Sequence, residues 1–367
     1  DISSMSDISV DAKQMTALVQ PGLNMHYCYQ KLAEHGLIFP LAECHGVAMG
    51  GYLLGGGLPP LSHVWGKGPA CYSIISADVI LANGEKVVAS KDENADIYWA
   101  IRGVGPGFFG VVSRYQLQLY QHPETIMQSS FIFSLDVLPD VISILDKLLA
   151  VKDERTAINL ALIKDPDSTS TTVARLKIIV VANRPGNSEA EAKQLLAPYA
   201  QSNLSSLSTS RRMNQVIQFA DLMYSPDRSY RNNSNNIWTN DARALLAIVE
   251  HYKKMPADSE LLLALSHGRN TGIQRKDACY SSAGLHFLSS HLLWKGAEND
   301  DANNSWYKEL NEILYPFATS HYVNQLDNEQ HPSRIRASFS EENWQRLTTV
   351  RKKYDPDNRF FSYLGFE

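Results

Sequence analysis

The chain has 367 residues, 44% of them hydrophobic and 20% charged, an ordinary globular composition that is long enough for two domains with their own cores. The formal net charge is −5, so no strongly basic surface is implied and we expect no nucleic-acid partner. No stretch approaches the roughly 18 consecutive apolar residues of a membrane span, so we expect no membrane partner.

The first residues and the cysteines bear on compartment and metal binding. The chain opens on Asp1, and DISSM lacks the charged start and apolar core of a signal peptide, so we expect that an upstream segment was removed or left out. The four cysteines fit neither a zinc pattern nor a small disulfide framework, so we predict no metal site and expect Cys28 and Cys279 to be buried thiols. Three glycosylation sequons weakly favour a secretory route and leave the compartment open; they lie at Asn203, Asn232 and Asn303.

A helix and a glycine-rich segment occupy the first sixty residues. The helix is predicted to begin after Gly22 and to end at Gly36, a residue typical of helix ends. The segment CHGVAMGGYLLGGGLPP, residues 44–60, contains six glycines and almost no charge. A flexible surface linker would be polar, so this composition indicates backbone packed tightly against a neighbour, either a sheet or the flat ring system of a cofactor.

A hairpin, a short helix and a strand follow. Strands flank Asn83-Gly84, a dipeptide that favours a two-residue hairpin turn. A helix over residues 94–102 leads to the alternating strand FGVVSRYQLQLY. Between them GPGFFG, residues 105–110, matches the spacing of a dinucleotide-binding loop, but that loop needs a strand before it and a helix after it. Because the order here is reversed, we predict no Rossmann site.

From about residue 125 onward, strands and helices alternate with less regular segments. Strands are predicted over residues 129–137, 157–164, 173–182, 260–266 and 282–294. Helices are predicted from Pro139, from a capping box of Ser188 with Glu191, around Trp306 and Leu310, and from the cap Ser340 to Tyr354. The polar stretch 203–240 predicts irregular structure. This mixture predicts a second α+β domain with a broad sheet.

Cys44 stands at the start of the glycine-rich segment beside His45, and three roles are open to it. The first is a thiolate nucleophile with a histidine base, but no partner Asp or Asn and no nucleophile elbow are evident. The second is a buried thiol without chemistry. The third is covalent attachment to a cofactor that lies along the glycines.

Segments at both ends of the chain resemble, in order and spacing, the berberine-bridge-enzyme-like oxidases. They are DISSMSDISVDAKQMTALVQPG, ECHGVAMGGYLLGGGLPPLSHVWG, ADVILANGEKVVAS, DIYWAIRGVGPGFFGVVSRYQLQLY, HYVNQLDNE at 321–329 and NWQRLTTVRKKYDPDNRFF at 343–361. The middle of the chain, about residues 125–300, carries little recognisable motif, which suits a substrate domain that varies within the family.

The resemblance implies an α+β fold of two domains, the fold of FAD-linked oxidases. A flavin domain would be built from both chain ends, residues 1–122 and the returning segment 319–367. A substrate domain, residues 123–318, would hold a large antiparallel sheet backed by helices. The chain would lack the N-terminal subdomain whose Arg-rich, Gly-Gly-His loop binds the FAD pyrophosphate. We expect that missing segment, or a second copy of the chain, to cover the open sheet edge.

The resemblance also implies FAD as the cofactor, and Cys44 falls where many members bond sulfur to the flavin ring. The residues that would line the flavin come from the glycine-rich segment, the turn at 105–110 and the C-terminal motif. They are Cys44, His45, Gly46, Val47, Gly50, Gly51, Gly56, Gly107, Phe108, Gly110, Val112 and Asn324.

A Tyr-x-Asn motif beside the ring shows one departure from the family. Tyr322 and Asn324 match it and Asp327 closes it, but Gln325 replaces a tyrosine that often serves as the base. Glutamine accepts no proton usefully near neutral pH. The catalytic candidates are Tyr322, Gln325, Tyr280 and His286.

These observations favour an FAD-dependent oxidase of a small organic substrate, such as a secondary metabolite, with hydride transfer to flavin and oxygen as the reoxidant. Residues 223–233 and 280–287 are the predicted substrate contacts. The alternative is a flavin-free short form that catalyses a non-redox cyclisation in the same cavity. A third possibility is a catalytically silent binding protein, and the visible absorbance of flavin separates the first function from the other two.

Overall fold

The structure, a computed structural model, describes residues 1–61, 68–165, 168–225, 229–256, 259–267, 275–326, 333–362 and 364. The strands are β1 (Ile8–Asp11), β2 (Thr16–Val19), β3 (Leu37–Ile38), β4 (Ile74–Leu81), β5 (Lys86–Ser90), β6 (Gly110–Gln118), β7 (Tyr120–Gln121), β8 (Thr125–Phe133), β9 (Thr156–Asp165), β10 (Ser168–Ala182), β11 (Ser210–Ile217), β12 (Arg231–Thr239), β13 (Ser259–His267) and β14 (His286–Trp294).

Helices connect and cover these strands. They are α1 (Met25–Ala33), α2 (Met49–Leu54), α3 (Ala95–Ala100), α4 (Leu138–Leu149), α5 (Ser188–Gln201), α6 (Leu204–Leu207), α7 (Ala244–Ala247), α8 (Val249–Tyr252), α9 (Asp300–Leu314), α10 (Ser333–Arg336) and α11 (Glu341–Tyr354). Within the described ranges, no helix is long and apolar enough to cross a membrane.

A five-stranded antiparallel sheet, in the order β1-β2-β6-β4-β5, organises the first third of the chain. Its hairpin β4–β5 flanks Asn83-Gly84 as predicted, but the loop has three residues instead of two. Leu81 N donates to Glu85 O at 2.9 Å, and Gly84 adopts a φ of 86°. A three-residue loop that ends in a left-handed glycine matches the twist of the flanking strands.

Around residues 105–110 the structure has a helix before the glycines and a strand after them. This is the order that argued against a dinucleotide-binding loop. Helix α3 lies before these residues, a short 3-10 turn covers Gly105–Gly107, and β6 begins at Gly110. Gly105 adopts a φ of 62°, and a Cβ there would lie 2.7 Å from the Val323 side chain. The glycine is therefore required by a close approach to the C-terminal part of the chain.

A seven-stranded antiparallel sheet, in the order β11-β8-β10-β9-β13-β14-β12, organises the middle of the chain. One face is apolar and belongs to a core shared with α4, α5 and α9; its buried residues include Leu160, Leu176 and Leu292. The other we call the polar face. One row of it runs in register across five strands and consists of Ser130, Lys177, Asn159, Ser266 and Phe287.

Three local predictions for this sheet were wrong. The strand expected at 129–137 runs over Thr125–Phe133, and the irregular stretch 203–240 contains β11 and β12. The capping box of Ser188 is not formed, because Glu191 Oε2 accepts from the backbone N–H of Asn183 and Arg184. Asparagine is depleted in strands, so the sequence of β12, RNNSNNIWT, gave a misleading signal.

The C-terminal helix α11 returns to the five-stranded sheet. Ser340 caps it as predicted and accepts from Asn343 N. Tyr354 stacks on Phe109 with ring centroids 5.7 Å apart, and Leu347 joins the apolar core of that sheet. The buried Arg351 donates to Gly107 O at 3.1 Å. Both ends of the chain thus pack around one sheet.

Two predictions from single residues can be checked directly. Cys28 and Cys279 are fully buried free thiols, as expected. Of the three sequons, Asn303 is 1% exposed, and its Oδ1 accepts from Ser259 Oγ at 2.5 Å. The folded protein therefore offers no access for a glycan at that position.

A fully buried arginine, Arg102 after α3, ties the first third of the chain to residues 277–280. Its guanidinium donates to Cys71 O at 3.1 Å and to the backbone and carboxylate oxygens of Asp277 at 2.7 and 2.8 Å. It also lies over the Tyr98 ring, 4.8 Å from the centroid. Burial acts to raise the pKa of Asp277, but hydrogen bonds from Arg275 and Arg102 outweigh it and lower that pKa to about 2.

We expect Arg102→Met to lower the free energy of unfolding by at least about 2 kcal/mol, because buried acceptors lose their donor. The matched control is Arg114→Met, since Arg114 pairs with Asp78 at the surface with side chains 50% and 36% exposed. That variant should cost less than about 1 kcal/mol. Urea unfolding followed by circular dichroism measures both, and equal losses would contradict this account.

We expect the contribution of Asp277 to stability to disappear in acid. Its pKa is about 2 in the fold, against about 3.9 in an unfolded chain, so the stabilisation is fully present above about pH 4 and is lost as pH falls towards 2. Urea midpoints of the wild type and Asp277→Asn should differ most at neutral pH and converge over that interval. A difference that persists unchanged into acid would show that the charge of Asp277 contributes nothing.

Candidate cofactor and substrate site

A cavity of about 410 Å³ opens beside Cys44, and we call it the Cys44 cavity. This volume lies within the roughly 300–1,000 Å³ typical of small-molecule sites. Four parts of the chain that are distant in sequence contribute to its wall. The lining residues are Ala42, Glu43, Cys44, Val47, Ala48, Gly51, Tyr52, Leu58, Tyr224, Phe287, Tyr322, Asn324 and Gln325.

Backbone hydrogen bonds join the Cys44 segment to the loop that precedes β12. Tyr224 N donates to Glu43 O at 2.8 Å, and His45 N donates to Tyr224 O at 2.9 Å. The two backbone hydrogen bonds fix the position of Cys44, which is partly exposed at the cavity wall.

The ring of His45 interacts with Ser225 and His26, which does not match the arrangement of a cysteine nucleophile and its histidine base. Its Nδ1 lies 2.9 Å from Ser225 Oγ, and its ring packs 4.4 Å from that of His26. Val47 lines the cavity, whereas Gly46 between them is exposed to solvent. The geometry around Cys44 therefore favours a thiol presented to the cavity over a cysteine–histidine hydrolase.

The glycines of residues 44–60 divide into two groups. A Cβ at Gly51 would meet nothing within 4 Å, so this residue opens on the cavity. Gly50 instead packs on Pro21, with a hydrogen bond of 2.8 Å from its N–H to Pro21 O. Gly51 is thus the glycine of helix α2 that leaves space for a ligand.

The following glycines approach protein side chains. A Cβ at Gly55 would lie 2.0 Å from Asn324, and one at Gly56 would lie 2.4 Å from the Tyr280 ring. Gly56 was expected to lie along the flavin; the structure explains its lack of a side chain by the Tyr280 ring, and its contact with a cofactor stays a prediction. The glycine-rich segment is therefore only partly a wall for a cofactor.

Hydrogen bonds attach the Tyr322-x-Asn324 motif to the glycine-rich segment. Tyr322 Oη accepts from Gly57 N at 3.2 Å and from Asn324 Nδ2 at 3.1 Å. Asn324 Nδ2 also donates to Gly51 O at 2.9 Å. These hydrogen bonds place the phenol and the amide of the motif against the backbone that carries Cys44.

The other side of the motif is held by Asn236 of β12, a residue that the sequence analysis missed. Its Nδ2 donates to Tyr322 O at 2.9 Å and to Gln325 O at 3.1 Å, and its Oδ1 accepts from Tyr322 N at 2.6 Å. Asn236 is 2% exposed. A buried amide in a strand must find partners, so the Asn-rich composition of β12 was the available signal.

Gln325 gives the cavity an unsatisfied acceptor. Its Oε1 is buried and has no hydrogen-bond partner within the part of the chain that the structure describes. A buried carbonyl oxygen without a donor is costly, so a ligand N–H or O–H at this point would stabilise the site. The imide N–H of a flavin ring is such a donor, and Cys44 and Gly51 line the same cavity.

Two of the catalytic candidates lie away from the cavity wall. Tyr280 is buried against Gly56 and Gly103, and burial raises its pKa well above the ordinary value. His286 begins β14, where its ring lies 5.1 Å from that of His267, and burial lowers its pKa. The structure brings Tyr322 and Gln325 to the cavity wall. The side chains of Tyr280 and His286 are not among the lining residues.

The predicted flavin contacts near β6 lie in the core of the five-stranded sheet. Phe108 and Val112 are 6% and 4% exposed, and a Cβ at Gly110 would lie 2.9 Å from Ile80 O. Gly107 O accepts from Arg351. Their contact with a cofactor stays a prediction, and Asp327 lies outside the described residues.

The two predicted substrate segments each supply one cavity residue. Tyr224 comes from residues 223–233 and Phe287 from residues 280–287, while 226–228 lie outside the described residues. Phe287 is 3% exposed, and its ring packs edge-on to Tyr322 at 6.0 Å. Glu43, one residue before the thiol, also lines the cavity and was not singled out from the sequence.

Comparison with known proteins finds two family models and several relatives of this chain. The family model "FAD binding domain" matches residues 1–90, and "Berberine and berberine like" matches residues 321–364. Over 375 aligned residues the chain is 23% identical to the uncharacterized FAD-linked oxidoreductase YvdP of Bacillus subtilis (strain 168), covering 98% of this chain and 80% of that protein.

Solved structures show the same fold. The 6-hydroxy-D-nicotine oxidase of Arthrobacter nicotinovorans matches with a TM-score of 0.82 at 20% identity, covering 100% of this chain and 82% of that chain. The xylooligosaccharide oxidase of Myceliophthora thermophila C1 matches with a TM-score of 0.83 at 20% identity, covering 100% and 81%. The predicted two-domain FAD-linked oxidase fold is confirmed. The two family models and the relatives support an FAD-linked oxidoreductase, and its matched segments are similar to those of the berberine-bridge-enzyme-like proteins.

Proposed function

We propose that the protein oxidises a small organic substrate, such as a secondary metabolite, in the Cys44 cavity, with FAD as cofactor and oxygen as the reoxidant. The observation that carries the proposal is the cavity itself. It places a thiol, the open backbone at Gly51 and the unsatisfied Gln325 oxygen around one space whose volume is typical of small-molecule sites. The relatives named above include oxidases of small organic molecules.

Different residues of the cavity would have different roles in binding. Gly51 and Val47 leave a surface without bulky side chains, Cys44 presents its sulfur to that surface, and Gln325 offers a hydrogen-bond acceptor. Bound FAD would supply the acceptor for a hydride from a substrate C–H bond. The protein's part is to orient that bond and to exclude water.

A covalent tether through Cys44 extends the proposal. A bond from its sulfur to a carbon of the flavin ring would replace the S–H and C–H bonds. The two electrons and two protons released would pass to oxygen. The tether would hold the ring in the cavity without further contacts, and the fixed position of the 43–45 backbone would set its orientation.

Tyr322 is the proposed proton acceptor for a substrate that bears an OH or NH. Its oxygen lies at the cavity and accepts hydrogen bonds from Gly57 N and Asn324 Nδ2. Donors aimed at a phenol oxygen stabilise negative charge on it, which suits a group that passes its proton on and recovers another. Gln325 at the neighbouring position has no such capacity.

Phe287 and Tyr224 would form the opposite wall and orient the substrate. Phe287 is buried and fixed by Trp238, with ring centroids 4.9 Å apart, whereas Tyr224 is 50% exposed at the rim. A rigid aromatic wall facing the ring space would hold a flat or cyclic substrate in one orientation.

We expect the full-length protein to be yellow and its flavin absorbance to stay in the pellet after acid precipitation. In Cys44→Ala the absorbance should move to the supernatant, because the tether is gone. The matched control is Cys28→Ala in α1, whose buried thiol has a pKa of about 12 and does not line the cavity. Colour in the supernatant of the wild type would contradict the covalent tether alone.

A colourless, well-folded full-length protein that gains no flavin absorbance on incubation with FAD would overturn the redox proposal. The non-redox cyclisation would then be the function to test.

We expect Tyr322→Phe to retain flavin and to slow flavin bleaching by substrate about 10²- to 10⁴-fold, the usual contribution of a positioned proton acceptor. The matched control is Tyr224→Phe at the rim of the same cavity, which should change the rate less than about tenfold. Stopped-flow absorbance without oxygen measures both, using whichever compound of an alcohol, amine and sugar panel bleaches the wild type. Equal rates for Tyr322→Phe and the wild type would exclude Tyr322 as the acceptor.

A further inference from the structure

We propose that the substrate carries an oxyanion group, a carboxylate or a phosphate, which Arg175 and Lys177 of β10 bind on the polar face of the seven-stranded sheet. This inference rests on the proposed function, because it names the class of substrate that the same enzyme would take.

A second cavity, of about 490 Å³, lies over this part of the sheet. It is strongly cationic, since four basic residues and one carboxylate contribute to its wall. Its lining residues are Gln128, Ser130, Ile132, Asp165, Arg175, Lys177, Thr209, Ser210, Arg211, Arg212 and Gln215. Hydroxyl and amide groups make up much of the remainder, so the wall can donate hydrogen bonds as well as positive charge.

The sheet register places both cations on one face. Lys177 pairs with Ser130 on one side and Asn159 on the other, and Arg175 pairs with Ile132 and Ala161. Leu176 between them is fully buried in the core with the helices. Because side chains alternate along a strand, residues 175 and 177 both point to the polar face.

A third cation lies in the same row. Arg212 of the edge strand β11 pairs with Ser130, so Arg212 and Lys177 flank that serine from the two neighbouring strands. Directly opposed residues in a sheet have Cβ atoms about 5 Å apart. The three side chains can therefore converge on one anion.

The two central cations form no direct ion pair within the part of the chain that the structure describes. Neither forms a hydrogen bond or ion pair within the described ranges, and Arg175 Nε is buried without a partner there. Burial lowers the pKa of both side chains, and the charge of Arg175 lowers that of Lys177 further. Half-buried cations without a partner are costly in a folded protein, so a bound anion would relieve a cost that the fold otherwise carries.

One row of the polar face connects the cationic wall to the Cys44 cavity. Glu43 lines that cavity, and its charge partly offsets the lowering of the Lys177 pKa, so the two side chains lie within electrostatic reach of each other. On the sheet, the row runs from Phe287 through Ser266 and Asn159 to Lys177. Three strand spacings of roughly 4.8 Å separate its ends by about 14 Å. An extended substrate could place its reacting C–H bond near Phe287 and its anionic end at Lys177.

The chemistry of the wall points to an oxyanion. The planar guanidinium of Arg175 can donate two parallel hydrogen bonds to a carboxylate or phosphate, and the Lys177 ammonium adds a point charge. A neutral sugar or alcohol would bring no negative charge to pair with Arg175 or Lys177.

The first test measures binding without any redox step. The full-length, FAD-loaded protein is treated with acetic anhydride, and acetylation of Lys177 is followed by peptide mass spectrometry at constant ionic strength. Benzoate and phosphate are the anionic probes and benzamide is the neutral one. Lys164 is the internal control, because it lies on β9, is exposed and lines neither cavity.

We expect benzoate or phosphate to slow acetylation of Lys177 at least about tenfold at saturation while leaving Lys164 unchanged. Protection by phosphate alone identifies the phosphate form of the group, and protection by benzoate alone identifies the carboxylate form. Protection by benzamide as strong as by benzoate, or no protection by either anion, would overturn the proposal.

The second test uses substrate pairs, each an acid and its methyl ester, with Arg175→Gln, Lys177→Gln and the control Lys164→Gln. The first two variants should raise KM for the acid by about 10- to 100-fold and leave KM for the ester within about twofold. Lys164→Gln should change neither. A merely structural role would instead lower the melting temperature, whereas removal of an unpaired cation should preserve or raise it.

The two proposals fail in distinguishable ways. If the protein is colourless and gains no flavin absorbance on incubation with FAD, but benzoate protects Lys177, the oxidase function is wrong and the anion site stands. If flavin is bleached by esters and acids alike and neither anion protects Lys177, the function stands and the anion site is wrong.

Discussion

The short segment from Tyr322 to Gln325 is held by hydrogen bonds from both sides, and the shape of the site depends on this constraint. On one side Asn236 of the seven-stranded sheet bonds the backbone of Tyr322 and Gln325. On the other side Tyr322 and Asn324 bond the backbone of Gly57 and Gly51. Because β12 and the glycine-rich segment are attached to the same four residues, the positions of these two walls relative to each other are fixed. The chemistry of the cavity follows, since the phenol, the amide acceptor and the thiol face one space.

Much of the architecture could be predicted from local sequence, and the exceptions have physical causes. Helices α1 and α11 follow their apolar periodicity and end signals, and the β4–β5 hairpin follows its Asn-Gly turn. Strand β12 could not be recognised, because its asparagines disfavour a strand until Tyr315, Tyr322 and Gln325 supply the hydrogen bonds. Those partners lie some eighty residues further along the chain, where local patterns carry no information.

The candidate site was also predictable from the sequence only in part. Its motifs identified Cys44, Tyr322 and Gln325, and the structure brings all three to one cavity. The motifs could not reveal which glycines face a ligand, since that depends on distant neighbours such as Tyr280 for Gly56. Nor could the motifs show that His286 lies away from the cavity, because the position of His286 depends on the register of the sheet. The polar face illustrates this most clearly: Arg175 and Lys177 appear in the sequence as two ordinary charges within a long strand.

The cations of β10 also have a consequence for folding. A slip of one residue in the pairing of β10 would turn both charges into the apolar layer beneath α4 and α5, and would bring Leu176 and Ile178 out to the opposite side. Misaligned pairings of this fifteen-residue strand are therefore strongly disfavoured. The same two side chains that we assign to ligand recognition would thus also select the correct alignment while the sheet assembles.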